Sequence, residues 1–302
     1  TKTLLYSAKT YDSAKHASKY AVNIPEVSFD LPKIIARKSK VVRKLVLGVK
    51  AKLTANNVTI VSGEAQIIDK NTVRCGEETY EGENLILCTG SETFIPPIPG
   101  VDAVNYWTHR DALDSKELPA SLVIVGGGVI GMEFASFFNS LGVQVTVVEM
   151  MDEILGGMDK ELSALLRAEY AKRGIKFLLS TKVIGLSQTE EGAVVSYENA
   201  EGNGSVIAEK LLMSVGRRPV TKGFGLENLN LEKTERGAIR VNEKMQTSVP
   251  GVYVCGDLTG FSLLAHTAVR EAEVAVHSIL GKEDAMSYRA IPGVVYTNPE
   301  IA

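Results

Sequence analysis

Residues 121–133 read SLVIVGGGVIGME, and this stretch decides the fold. Leu122-Val123-Ile124-Val125 is an unbroken apolar run, the pattern of a strand buried on both faces in a parallel sheet. After the glycines, Ile130, Phe134, Phe137, Phe138 and Leu141 recur at helical spacing until Gly142 stops the pattern. A second apolar run, Val143 to Val148 with Gln144 inside it, ends at Glu149. Strand, glycine turn, helix, strand and acid follow one another in a single unit.

That order is the βαβ pattern that binds a dinucleotide. Gly126 permits a tight turn, Gly128 lets a pyrophosphate approach the backbone, and Gly131 lets the helix pack closely. Gly127, Val129, Ile130 and Met132 complete the turn and the first helical residues, whose unpaired N–H groups face the phosphates. Glu149 is placed to accept hydrogen bonds from both ribose hydroxyls. A 2′-phosphate would meet its carboxylate, and neither Arg nor Lys follows before Lys160, so NAD is expected rather than NADP. A glycine-rich turn alone says little; here the strands, the helix and the acid accompany it.

Working outward, 302 residues suffice for two domains with cores of their own. A formal net charge of −3 gives no general attraction to nucleic acid or to membrane surfaces. Lys33 to Lys52 is locally basic, with Ile34, Ile35, Val41, Val42, Leu45 and Val49 interleaved at roughly helical spacing, and predicts an amphipathic helix with a solvated face. Cys75, Cys88 and Cys255 are far apart in sequence, without CxxC or a disulfide framework, which suits a reducing, cytoplasmic compartment. No His–Cys cluster has metal-ligand spacing, so no metal is expected. Glu133 and the glycines argue against a membrane span at 121–138. No signal peptide is evident, and the chain starts without Met in helical pattern and stops in a strand and turn. It is expected to be the middle of something larger.

From Val58 to Phe94 short β-like runs alternate with turns, and the proline-rich FIPPIPG leads toward the βαβ unit. A helix over Lys160 to Arg173, a strand at 176–179 and a β-rich part ending in KLLMSVGRRP follow. A last helix is expected over LAHTAVREAEVAVHSILG.

GGGVIGMEFA with Glu149, ILCTGS, SVGRRP, TSVPGVYVCGD and LLAHTAVREA, in this order, resemble the flavoprotein disulfide reductases. TKTLLYSAK at the start and IPGVVYTNPEIA at the end look like the dihydrolipoamide-oxidising members in particular. The resemblance covers essentially the whole chain. It implies an α/β fold of two Rossmann-like FAD- and NAD-binding domains with parallel sheets. An FAD domain over 1–118 and 241–287 would surround an NAD domain over 119–240, and 288–302 would begin a dimerisation domain. It implies a homodimeric oxidoreductase that carries electrons from protein-bound dihydrolipoamide through a redox disulfide and FAD to NAD. The dihydrolipoamide would sit on a lipoyl-domain protein of a 2-oxoacid dehydrogenase or glycine cleavage complex. The first FAD glycine motif, the redox cysteine pair and the catalytic His–Glu pair would lie outside these 302 residues, so the chain alone is expected to be inactive.

The resemblance also assigns residues. Lys2 would sit beside the flavin, paired with Glu133, where a cation favours the reduced, anionic flavin. Asp257 would accept a hydrogen bond from the ribityl chain of FAD, and Thr89, Gly90 and Ser91 match a motif near FAD. Cys88 stands where that motif usually has Ala, and is not expected to expose a reactive thiol. Ala65 would touch the adenine of FAD through its backbone, while Val183 and Gly216 would line the NAD site. Leu263, Leu264, Ala265 and His266 open the last helix, whose dipole would stabilise negative charge arriving on the flavin; His266 would contribute its backbone. Arg217 and Arg218 are read as structural ion-pair formers. Two other readings stand beside this one: a relative with a different disulfide or metal-ion substrate, and a non-catalytic nucleotide-binding module.

Overall fold

The computed structural model describes residues 1–302. They form two compact units: Thr1–Lys50, Thr93–Gly216 and Gly293–Ala302 in the first, Ala51–Glu92 and Arg217–Pro292 in the second.

The first unit is built on a five-stranded, all-parallel sheet. Its spatial order is Tyr106–Trp107, Lys210–Met213, Ser121–Val125, Gln144–Val148 and Lys176–Leu178. The strand quoted above lies at its centre, with Val125 opposite both Met213 and Val148. Side chains alternate between faces along a strand, and this sheet uses both. Leu122, Ile124, Val145, Val147 and Leu212 point into a core shared with Phe134, Phe137 and Phe138 of the helix Val129–Ser140. Leu166 and Tyr170 of the helix Lys160–Lys172 join that core, as do Leu4, Leu5 and Ala8 of the helix Lys2–Lys15. Val123, Val125, Val148, Leu211 and Met213 face the other way, onto Leu186, Ala193, Val195 and Ala208. Those four belong to an antiparallel sheet of Lys182–Thr189, Gly192–Asn199 and Gly202–Ala208. Cover on both faces is why the central strand carries no polar residue between Leu122 and Val125.

The second unit holds a parallel pair, Leu85–Leu87 with Val252–Val254. It also holds an antiparallel sheet of Ala65–Ile67, Thr72–Cys75 and Glu78–Glu81. One face of the pair packs on Ile67, Leu226 and Ile239. On the other face Tyr253 and Cys255 meet Val274 and Ala275 of the helix Ala265–Ile279. The α/β class with parallel sheets expected from the sequence is therefore the class found.

The basic stretch does form a helix, Leu31–Ala55, but its apolar stripe behaves differently from expectation. Ile35 is buried, whereas Val42, Leu45 and Val49 are 49, 66 and 61% exposed. Basic Lys38 is the buried member of the polar face, donating to the Leu113 carbonyl and pairing with Asp114. Helical periodicity identifies an amphipathic element; it does not supply the surface that would cover the apolar side. No helix is long and apolar enough to cross a membrane, and no group of three or more His, Cys, Asp or Glu could hold a metal ion.

Candidate functional site

In the first unit the candidate residues gather at the carboxyl ends of the parallel strands, the usual crevice for ligands in open α/β sheets. Gly126 leaves the central strand at φ +106°, and a Cβ there would lie 2.5 Å from the Ser214 carbonyl oxygen. A Cβ on Gly131 would lie 2.0 Å from the carbonyl oxygen of Gly126, so the helix packs onto the turn itself. Gly128 has nothing within 4 Å of such an atom. The turn is closed where two glycines are needed for packing and open at the third. The helix Val129–Ser140 begins at Gly128 without a side-chain cap, leaving its first N–H groups for an anion.

Glu149 has a role the sequence did not disclose. Its Oε2 accepts from the Gly127 N–H at 2.6 Å and its Oε1 from the Met151 N–H at 2.8 Å. The acid thus braces the glycine turn against the end of the next strand. A carboxylate has about four lone-pair positions, so two remain for ribose hydroxyls. Thr181 N–H donates to the Glu149 carbonyl at 2.9 Å, which brings Val183, two residues on, to this end of the sheet. Ser214 donates through its hydroxyl to the Val125 and Gly126 carbonyls at 3.1 and 3.0 Å, bringing Gly216 (φ +123°, with open space around it) beside the turn. Open backbone, an uncapped helix start and an acid at the strand end fit a dinucleotide with free ribose hydroxyls.

Glu133 is 9% exposed, and burial pushes its carboxyl above the ordinary carboxylate range. The Tyr296 N–H, donating to its Oε1 at 3.1 Å, and the charge of Lys2 work against that rise. Lys2 and Glu133 make no direct ion pair, contrary to the pairing the resemblance implied. Tyr296 engages both: its backbone holds the carboxylate, and its ring lies 4.2 Å beneath the Lys2 ammonium. Nothing in the sequence marked Tyr296 for that part.

The second unit collects another set. Asp257 Oδ2 accepts from the Ser91 hydroxyl at 2.5 Å. Ser91 in turn accepts at its Oγ from Arg217 Nε at 2.7 Å, and its carbonyl accepts from Arg217 Nη2 at 2.5 Å. Arg217 reaches Asp257 itself only at 4.0 Å, so Ser91 relays the charge. Arg218 pairs with Glu92 at 2.8 Å. Thr89 donates its hydroxyl to the Val220 carbonyl at 2.9 Å, and Gly90 takes φ +70° with open space where a side chain would stand. Leu264 caps the helix Ala265–Ile279 by backbone alone, and Leu263, Ala265 and His266 are exposed at its start. Ala65 is the exposed first residue of its strand. An acid, an open glycine and an uncapped helix start fit the polyol of a flavin nucleotide and negative charge on its ring.

Two further residues escaped the sequence reading. Glu271 is fully buried, and burial raises its carboxyl pKa; it accepts from the Gly256 N–H at 2.5 Å and the Tyr288 hydroxyl at 2.7 Å. A carboxylate on the apolar face defined by Thr267, Val274 and Ala275 was the available signal. The other is Cys88, which is exposed and stands beside buried Cys255 on the neighbouring strand, although the two are far apart in sequence. Sequence distance hid a pair that adjacent parallel strands bring together.

Comparison with known proteins agrees with this geometry. The family described as pyridine nucleotide-disulphide oxidoreductase matches residues 1–272. Dihydrolipoyl dehydrogenase of Geobacillus stearothermophilus is 36% identical over all of this chain and 65% of its own length. Leghemoglobin reductase of Glycine max is 35% identical over all of this chain and 59% of its own. LpdA from Mycobacterium tuberculosis superposes with a TM-score of 0.89 at 26% identity, covering 99% of this chain and 66% of that one. RclA from Escherichia coli, an HOCl-induced flavoprotein disulfide reductase, gives 0.85, and 0.84 in its Cu(II) complex, both at 26% identity and covering 99% of this chain and 65% of that one. The chain thus spans about 65% of the length of the dihydrolipoyl dehydrogenase it matches. The family and its dihydrolipoyl dehydrogenases use FAD and NAD. A glycine turn braced by an acid in one unit, an Asp–Ser–Arg relay before an uncapped helix in the other, and a match through residue 272 lead to one conclusion: the chain belongs to the pyridine nucleotide-disulphide oxidoreductase family.

Proposed function

We propose that the whole protein oxidises protein-bound dihydrolipoamide and reduces NAD, with FAD between them. The observation that carries this reading is the Glu149 carboxylate, held at the strand end beside the glycine turn where a 2′-phosphate would be repelled. FAD, when bound, would carry electron pairs between a dithiol and the pyridine nucleotide. Gly126 to Glu133, Glu149, Val183 and Gly216 would hold NAD. Ala65, Thr89 to Ser91, Asp257 and Leu263 to His266 would hold FAD. Lys2 would set positive charge near the flavin, and Glu133 would lie near it too. The domain boundaries expected from the sequence, homodimerisation, a lipoyl-domain partner and a cytoplasmic location belong to this reading. The likeness to RclA favours a second one, a relative acting on a different disulfide or on a metal ion.

Glu149→Ala is expected to weaken NADH binding by about 1–3 kcal/mol, the cost of leaving polar groups unpaired. Because the variant also releases the Gly127 and Met151 N–H groups, NADPH binding should change too, but far less, since a repulsion is removed with the brace. Titration calorimetry with both nucleotides checks this; equal losses would leave Glu149 as a brace only.

Asp257→Ala in the whole protein is expected to release FAD on desalting while the NAD-binding unit stays folded. The variant removes the acceptor that Ser91 uses as well as the one proposed for the ribityl chain. Ser91→Ala separates the two roles, because it breaks the relay and leaves the Asp257 carboxylate in place. Flavin absorbance per chain after gel filtration is the readout. Stoichiometric FAD in Asp257→Ala at unchanged affinity would reduce Asp257 to a turn residue.

A further inference from the structure

The parallel strands Leu85–Leu87 and Val252–Val254 run in register, with Leu87 opposite Val254. The next residues on the two strands are Cys88 and Cys255, and the Cys255 N–H donates to the Leu87 carbonyl at 3.1 Å. Ile86 and Tyr253, two positions earlier on each strand, pack in the same cluster as Cys255. Alternation along the strands therefore puts both cysteine side chains on one face. Neighbouring strands lie about 4.7–4.9 Å apart, inside the Cα separation of about 4.4–6.8 Å that a disulfide spans. Both thiols are free; Cys88 is open to solvent, and Cys255 is 2% exposed.

We propose that Cys88 and Cys255 are a redox-active thiol pair, in which a hydroperoxide oxidises exposed Cys88 and buried Cys255 resolves it as a cross-strand disulfide. In the first step the Cys88 thiolate attacks the peroxide oxygen, the O–O bond breaks, and Cys88 becomes a sulfenic acid while the peroxide leaves as water or an alcohol after taking up a proton. In the second the Cys255 sulfur displaces the hydroxyl from Cys88; the S–S bond forms, and water leaves with the Cys255 proton. Two thiols together lose two electrons, and one peroxide gains them. The neighbouring thiols bear on each other's titration, which supports the order of events. Cys255 lowers the pKa of the Cys88 thiol and so favours its thiolate, while Cys88 and then burial push Cys255 up. Exposure and thiolate character thus fall on one sulfur, and the resolving sulfur waits beside it.

The bridge would tie together the strand ends from which Thr89, Ser91 and Asp257 project. The proposal rests on the thiols alone and holds whichever substrate the whole protein serves.

The test treats the purified chain with a few equivalents of hydrogen peroxide, alkylates it with iodoacetamide without reduction, and maps it by mass spectrometry. A Cys88–Cys255 linked peptide pair is expected, two hydrogens lighter than the reduced peptides and reversed by dithiothreitol, while Cys75 stays alkylated. Before oxidation, iodoacetamide should label Cys88 at least ten times faster than Cys255 in the folded chain. Cys255→Ala should instead carry Cys88 on to sulfinic acid, and Cys88→Ala, which restores the residue usual at that position, should leave Cys255 unoxidised. The labelling rates and the linked peptide come from the unaltered chain, so a poorly folded variant does not decide the matter. Cys88 reaching sulfinic acid in the unaltered chain without the linked pair, or labelling of Cys88 no faster than of Cys255, would overturn the proposal.

Discussion

The 302-residue chain, supplied with dihydrolipoamide, NAD and FAD, is expected to form no NADH above the uncatalysed background. The proposed route for dithiol oxidation runs through a redox cysteine pair outside these residues, and Cys75, Cys88 and Cys255 lie far apart in sequence. Exchange also needs a thiolate, hence a base to take the substrate proton. The resemblance places that base, a His, outside these residues. An oxidised Cys88–Cys255 bridge could accept one dithiol equivalent by exchange, but that reaction ends with a reduced pair and makes no NADH. Absorbance at the NADH band, followed over many equivalents of dithiol, separates the two. Sustained turnover, from a preparation shown by mass spectrometry to hold only this chain, would refute the assignment of the thiol chemistry to residues beyond these. NADH binding to the first unit, measured in the same preparation, is expected to survive.

Gly131→Ala should be the most damaging single change at the nucleotide cradle. Its Cβ would stand 2.0 Å from the carbonyl oxygen of Gly126 and 2.8 Å from the Ser214 hydroxyl, and the first of these is backbone that cannot swing aside. Helix Val129–Ser140 must then move off the turn, and Phe134, Phe137 and Phe138 with it, out of a close-packed core. Overpacking of this kind costs about 1–3 kcal/mol, occasionally more. The melting temperature should fall by roughly 2–12 °C, and NADH binding should be lost with the geometry of the turn. Gly128→Ala is the matched control. With nothing within 4 Å of the new methyl group, it should melt within about a degree or two of the unaltered protein. Its NADH affinity should nevertheless drop, because the methyl occupies the path of the pyrophosphate. Equal melting temperatures for the two variants would show that the helix is free to shift and that Gly131 is not the closing contact.

The contrast between those glycines shows where sequence reading ends. The spacing of Gly126, Gly128 and Gly131 after a four-residue apolar run, with Glu149 closing the next strand, was enough to assign a βαβ unit. The reason is local: strand, turn and helix are each dictated by side-chain period and backbone freedom within some thirty residues. The helices at Lys2–Lys15, Lys160–Lys172 and Ala265–Ile279 were legible for the same reason.

What the sequence left open depends on contacts between distant residues, which period and propensity do not encode. Glu149 was readable as an acid at a strand end, but its brace on Gly127 exists only because the turn folds back onto that carboxylate. Lys2 and Glu133 were matched as a pair by resemblance, yet Tyr296 engages both. The stripe after Lys38 has the period of a buried face but remains exposed, since amphipathicity names a face and tertiary structure decides whether anything covers it. Cys88 and Cys255 go furthest in this direction. Nothing along the chain relates them, and the register of two parallel strands alone places one sulfur beside the other. Local sequence determined which elements form and where a dinucleotide turn lies; strand order and register, set by burying both faces of the sheet, decided which polar groups meet.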